Sequence, residues 1–95
     1  MVNNPHRCKF NLGHVVATPG ALEFLDERGV KPDEFILRHV SGDWGDIPED
    51  DIPRNNQALI DGTRIISAYK VGDQKIWIIT EADRSSTTIL LPEEY

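Results

Sequence analysis

Apolar and polar positions alternate with a period of two near the start of the chain, recur at helical spacing through its middle, and return to strand spacing at its end. Phe10, Leu12, His14 and Val16 share one side of the first alternating stretch and Val15 and Ala17 the other, which predicts a strand over Phe10–Ala17. Thr18-Pro19 follows as a helix start, threonine as N-cap and proline at the first helical position. Ala21, Leu22 and Leu25 recur at helical spacing, and Gly29 supplies a C-terminal stop. A second helix is predicted from Pro32-Asp33-Glu34, where the acids favour the positive end of the helix dipole; Phe35, Ile36 and Val40 form its apolar face and Ser41-Gly42 ends it. Asp43 to Asp51 then forms a turn-rich loop with five carboxylates and no base. A third helix is expected from about Asp50 to Asp61, with Pro53 tolerated in its first turn, Ile52 and Leu59 facing the core, and Gly62 closing it.

The last third of the chain predicts a three-stranded meander. Arg64 to Val71 and Lys75 to Thr80 flank Gly72-Asp73, whose glycine at the first central position suits a type II′ hairpin. Ile76, Trp77, Ile78 and Ile79 place apolar groups on both faces of the second of these strands, which makes it central. Thr87 to Leu91 forms the last strand and Pro92 ends it. The order β-α-α-α-β-β-β therefore predicts an α+β domain over residues 10–95. Its antiparallel sheet, the N-terminal strand plus the C-terminal meander, packs against two or three helices, and a polar leader over residues 1–9 is expected to be disordered.

Composition narrows the function classes. Ninety-five residues form one small domain, burying about 60–65% of the unfolded surface, with no room for a cofactor domain. A net charge of −6, with ten Lys and Arg scattered along the chain, argues against direct binding to nucleic acid or to an anionic membrane. No apolar run approaches membrane-spanning length, and the first residues lack the apolar stretch of a signal peptide. Cys8 is the only cysteine, so no internal disulfide forms, and a reducing, cytoplasmic location is expected.

Two polar segments carry the candidate chemistry. The acidic loop holds Asp43, Asp46, Glu49, Asp50 and Asp51, oxygen ligands of the kind a hard cation requires, but their spacing is not that of an EF-hand. Acids ahead of a helix already have a structural use, so neither metal nor cofactor is expected. The same carboxylates resemble a phosphate-like surface offered to a basic partner. Trp44, between Asp43 and Gly45, is either a contact anchor or a loop ring folded back on the core, the commoner fate. The second segment is the corner Glu81-Ala82-Asp83-Arg84-Ser85-Ser86, longer than a hairpin requires and set at one sheet end. Asp83 and its serines can make turn hydrogen bonds while Arg84 pairs with Glu81 or Asp83. His39 falls at a helix C-terminus, His14 on a strand and His6 in the leader, without metal-ligand spacing. Phosphate-binding glycine loops and a G-x-S-x-G elbow are absent from the sequence. Asp43, Trp44, Asp46, Glu81, Asp83 and Arg84 are thus the candidate partner-binding residues, the partner being another protein, with no catalytic residues assigned.

Three stretches, residues 12–22 (LGHVVATPGAL), 39–46 (HVSGDWGD) and 79–85 (ITEADRS), resemble a family of small bacterial proteins carried on plasmids, phages and other mobile elements. Members are often labelled plasmid-related protein or type I restriction endonuclease subunit M. The likeness covers nearly the whole chain after Lys9 and implies a mobile-element context without an established activity. The restriction label would require a methyl-donor fold and an N-P-P-Y-like or D-P-P-F-like loop, and the sequence has neither. In architecture the chain is also similar to the RelE/ParE toxin superfamily, which includes ribosome-dependent mRNA interferases. Arg64, Arg84 and Tyr95 stand roughly where those proteins place charged or phenolic groups near the sheet. Those toxins are usually basic, and this chain is acidic.

Overall fold

A computed structural model describes residues 8–95. The elements are β1 (His14–Ala17), α1 (Pro19–Glu27), α2 (Asp33–Val40), α3 (Asp51–Asp61), β2 (Ile65–Val71), β3 (Gln74–Thr80) and β4 (Ser86–Leu90), followed by a 3-10 turn over Pro92–Glu94. The class is α+β, as the pattern predicts. The sheet order is β1-β4-β3-β2, with β2, β3 and β4 forming the antiparallel meander. One expectation is corrected: β1 pairs with β4 in parallel, His14 opposite Ser86 through Ala17 opposite Ile89, so the sheet is mixed. Alternation records which face a side chain takes but not which way its strand runs. Three helices separate β1 from the meander, so no tight turn constrains its direction.

The first strand is also shorter than the alternating stretch, because Gly13 adopts φ +65 and interrupts the extended backbone. Phe10, upstream of that break, turns its ring edge-on to His39 at 5.2 Å between centroids. Of the predicted leader, residues 1–7 lie outside the described residues. Lys9 is described, and its amide donates to the Val40 carbonyl at 2.8 Å.

Local chemistry accounts for the helix ends. Thr18 Oγ1 accepts from the Ala21 amide at 3.1 Å, a side-chain N-cap. Gly62 closes α3 in the left-handed region at φ +75. Within α3 the buried positions are Asn55 and Ala58. The inward stripe is rotated away from the predicted Ile52–Leu59 line and leaves Ile52 exposed. The hairpin forms at Gly72 (φ +68) and Asp73, between Val71 and Gln74, which pair.

The core lies on one sheet face. Ala21, Phe24, Leu25 and Phe35 from α1 and α2 cover Tyr69, Val71, Ile76, Ile78 and Ile89. A second cluster of Trp44, Ala58 and Ile65, flanked by Phe10 and Leu59, fills the space beneath α3. A row of buried polar groups crosses this region. His39 meets Ser67 Oγ through Nδ1 at 2.6 Å and Thr80 Oγ1 through Nε2 at 2.8 Å. Thr80 Oγ1 meets Thr87 Oγ1 at 2.8 Å, and Thr87 donates to the Leu12 carbonyl at 2.7 Å. Because a carbonyl only accepts, the proton order follows. Thr87 spends its hydrogen on Leu12, Thr80 donates to Thr87, His39 Nε2–H donates to Thr80, and Ser67 donates to His39 Nδ1. The leading part of this order, from Leu12 to Nε2–H, is fixed by the carbonyl, and the donation from Ser67 to Nδ1 holds for the neutral imidazole. Burial, reinforced by the charge of Arg84, lowers the His39 pKa to about 3.

Candidate interaction surface

The acidic loop is built into the fold as the cover of one sheet edge. The amide of Asp46 donates to the Ala68 carbonyl at 2.6 Å, and the Ala68 amide donates to the Trp44 carbonyl at 3.2 Å, so Gly45 bridges β2 in parallel. A Cβ on Gly45 would collide with the Ala68 carbonyl, and its φ of +73 favours glycine as well. Asp46 Oδ2 then accepts from the Lys70 amide at 3.2 Å. One residue pair further along, Asn55 imitates a strand with its side chain. Its Nδ2 donates to the Ile66 carbonyl at 2.7 Å and its Oδ1 accepts from the Ile66 amide at 3.3 Å. The outward backbone groups of Ile66 and Ala68, and the amide of Lys70, therefore all have partners, and β2 offers little for another chain to pair with.

Trp44 is packed rather than presented: it is 5% exposed, and its Nε1–H donates to Asn56 Oδ1 at 3.1 Å. Asp43 is exposed but engaged. Arg38 donates to both its carboxylate oxygens, at 2.7 and 3.3 Å, and holds the carboxyl below the usual carboxylate range. Its backbone carbonyl also accepts from the Tyr69 hydroxyl at 2.6 Å, and burial raises the pKa of that phenol.

The Glu81–Ser86 corner is likewise occupied with its own geometry. Arg84 takes φ +59, the one non-glycine positive φ among the described residues. Its guanidinium pairs with neither Glu81 nor Asp83 carboxylate. Instead Nη1 donates to the carbonyls of Thr63 (2.7 Å), Glu81 (3.1 Å) and Ala82 (3.3 Å), and Nη2 to that of Ala58 (2.9 Å). It thus ties the last turn of α3 and the entry to β2 onto the corner, neutralising carbonyls at a helix end. Asp83 Oδ1 accepts from the Ser85 amide at 3.0 Å, and the contact with Ser85 lowers its pKa. Glu81 faces Arg64 at 3.6 Å across the surface. The six candidates fall into two separate groups, the Asp43–Asp46 edge cover and the Glu81–Arg84 corner, with Arg84 turned inward and Trp44 buried.

What the structure adds is a groove of about 440 Å³ on the sheet face opposite the main core. Its floor is Ile66, Ala68 and Trp77, and one wall is the edge cover at Asp46, Pro48 and Asp51. Arg54, Arg64 and Lys75 reach into it, three cations against two carboxylates in a chain whose net charge is −6. Across the floor Tyr95 meets Trp77 in an edge-on contact at 5.4 Å, and its hydroxyl accepts from Arg64 Nη1 at 2.8 Å. Trp77 was legible only as an apolar residue on a two-faced strand. Its opposition to Ala68 and Leu90 places it on the face away from the helices. The signal for the groove was that second apolar face, which three helices on one side could not cover.

Among the described residues no group of three or more His, Cys, Asp or Glu side chains is placed to hold a metal ion, and no helix is long and apolar enough to cross a membrane. No protein-family model, curated protein or solved structure matches the chain.

Proposed function

We propose that this protein is a small non-enzymatic interaction module that holds a segment of another protein in the groove between the acidic loop and the outer sheet face. The observation that carries this reading is the groove's composition: an apolar floor containing an accessible Trp, rimmed by Arg54, Arg64 and Lys75 on an otherwise acidic molecule. Aromatic and arginine side chains around a concave apolar patch are the usual anchors of a protein contact. The acidic loop contributes as scaffold and wall, and the corner as a clamp, rather than as free recognition tips. The resemblance to small plasmid- and phage-borne proteins supports a mobile-element setting, and the lone cysteine a cytoplasmic one.

The test is site-specific photo-crosslinking in cells, with a benzophenone amino acid in place of Ile66 on the groove floor or of Leu37, exposed on α2. A protein captured from position 66 but not from 37, and lost when Arg64→Glu and Lys75→Glu are added, is the expected result. Identical capture from both positions, or capture indifferent to the charge reversals, overturns the reading.

A second reading, an mRNA interferase, draws on one observation: Arg64 and Tyr95, two of the residues matched by the toxin likeness, meet in the groove beside Lys75. Arg84, the third, is committed to backbone carbonyls instead. That reading requires growth arrest on expression and transcript cleavage that Arg64→Ala abolishes. Normal growth with intact transcripts removes it.

A further inference from the structure

The groove already contains a piece of this chain. After β4 the 3-10 turn carries Glu93, Glu94 and Tyr95 back over the sheet. Tyr95 sits with its ring against Trp77 and its hydroxyl on Arg64, yet 64% of it remains exposed. Glu93, two residues earlier, shares a shallow depression with Lys75. Glu94 is directed elsewhere: its Oε1 accepts from Thr18 Oγ1 at 2.6 Å and from the Leu91 amide at 2.8 Å, which anchors the turn. The segment therefore lays an aromatic ring on the Trp77 floor beside Arg64 and, two positions before it, sets a carboxylate in the adjoining depression, where Lys75 lines both hollows. The contacts are shallow, lacking the buried area that would make them permanent.

Resting on the groove reading above, we infer that the groove's ligand is an extended acidic–aromatic protein segment, with a carboxylate two residues ahead of a Tyr, Phe or Trp. The chain's own Glu93–Tyr95 is an intramolecular version of that ligand, and it competes for the site. The complementarity is specific in sign. Arg64 and Lys75 favour a carboxylate or phenol oxygen, Trp77 accepts an aromatic edge, and the carboxylates of Asp46 and Asp51 on the opposite wall disfavour a second acid there. A partner displacing Tyr95 exchanges one ring and one acid for another. Binding gains mainly from what the partner adds on the part of the floor still accessible at Ile66 and Trp77.

The experiment is a titration followed by tryptophan fluorescence, with the full chain and the synthetic peptide acetyl-Leu-Pro-Glu-Glu-Tyr-amide. Trp44 is buried and does not line the groove, so Trp77 is the tryptophan a ligand there would touch. Saturable binding to Tyr95→Ala, about fivefold weaker binding to the unaltered chain, and no preference lost on replacing only the glutamate nearer the tyrosine are the expected results. Adding Arg64→Glu and Lys75→Glu should weaken binding by at least about tenfold. The inference is overturned if Tyr95→Ala shows no saturable change, if it binds no better than the unaltered chain, or if a peptide with both glutamates changed to lysine binds equally. Crosslinking from position 66 that persists while the peptide fails would retain the groove as a contact and discard this ligand chemistry. Peptide binding without a crosslinked partner would keep this ligand chemistry and discard the reading that another protein occupies the groove in the cell.

Discussion

The two edges of the sheet are treated in opposite ways. Along β2, Asn55, Trp44 and Asp46 satisfy the outward backbone groups one after another, and the acidic loop and α3 lie against the strand. Along β1, His14 donates to Ser85, just ahead of β4, and Thr18 to Ile89 of β4, which turns the amides of Val15 and Ala17 away from the sheet. Val15 and Val16 are each about half exposed there, and among the described residues the device that blunts this edge is its length of four residues. A seven-residue strand with an apolar outer face needs a cover. A four-residue strand can be left open. The contrast gives the carboxylates of the loop a structural use: Asp43 and Asp46 shape and bond the cover.

The row of buried hydroxyls spans both halves, running from Ser67 on β2 through His39, Thr80 and Thr87 to Leu12 just ahead of β1. Breaking it is expected to have the largest effect. Folding lowers the His39 pKa from 6.5 to about 3, so the unfolded chain takes up a proton that the folded chain refuses. The stability this residue confers is complete above pH 6.5 and is lost as pH falls toward 3, by on the order of 5 kcal/mol. Urea melts at stepped pH would check it, and His39→Gln, which does not titrate, should remove most of that acid dependence.

Next in size is Asn55→Ala, which strips the Ile66 amide and carbonyl of their partners at a buried position. It should destabilise the fold by about 2–3 kcal/mol, measurable as a lowered denaturant midpoint. The guarded edge should also become prone to self-association. The smallest effects separate the edges by sign of consequence rather than size. Asp46→Ala loses one exposed bond, about 0.5–1 kcal/mol. Val15→Lys on the open edge should change stability by no more than about 0.5 kcal/mol, since that side chain is already about half exposed. A large loss from Val15→Lys would mean that β1 is not an exposed edge.

Much of the scaffold was legible in residues that act locally. Thr18 with Pro19, Gly62 after α3, Gly72 in the hairpin and the two-faced run of β3 each depend on their neighbours in sequence, and each does what its pattern predicts. What was not legible depends on the far side of a contact. The parallel direction of β1 is set by where three helices deliver the chain. Asn55 is a polar residue whose use as a false strand exists only once Ile66 lies beside it. Arg84, read as a charge for a partner, is bound to carbonyls from three separate segments, 58, 63 and 81–82. The groove escaped for the same reason: Ile66, Trp77, Arg54 and Tyr95 are far apart in sequence and have no shared motif.

Amide hydrogen exchange read residue by residue tests the edge account most directly. The amides of Ile66, Ala68 and Lys70 should exchange slowly, within reach of those in β3, while Val15 and Ala17 exchange close to the rate of an unprotected backbone; Asn55→Ala should release Ile66 first. Fast exchange at Ala68 and Lys70, or protection at Val15 equal to theirs, would contradict the assignment of the acidic loop as the cover of β2.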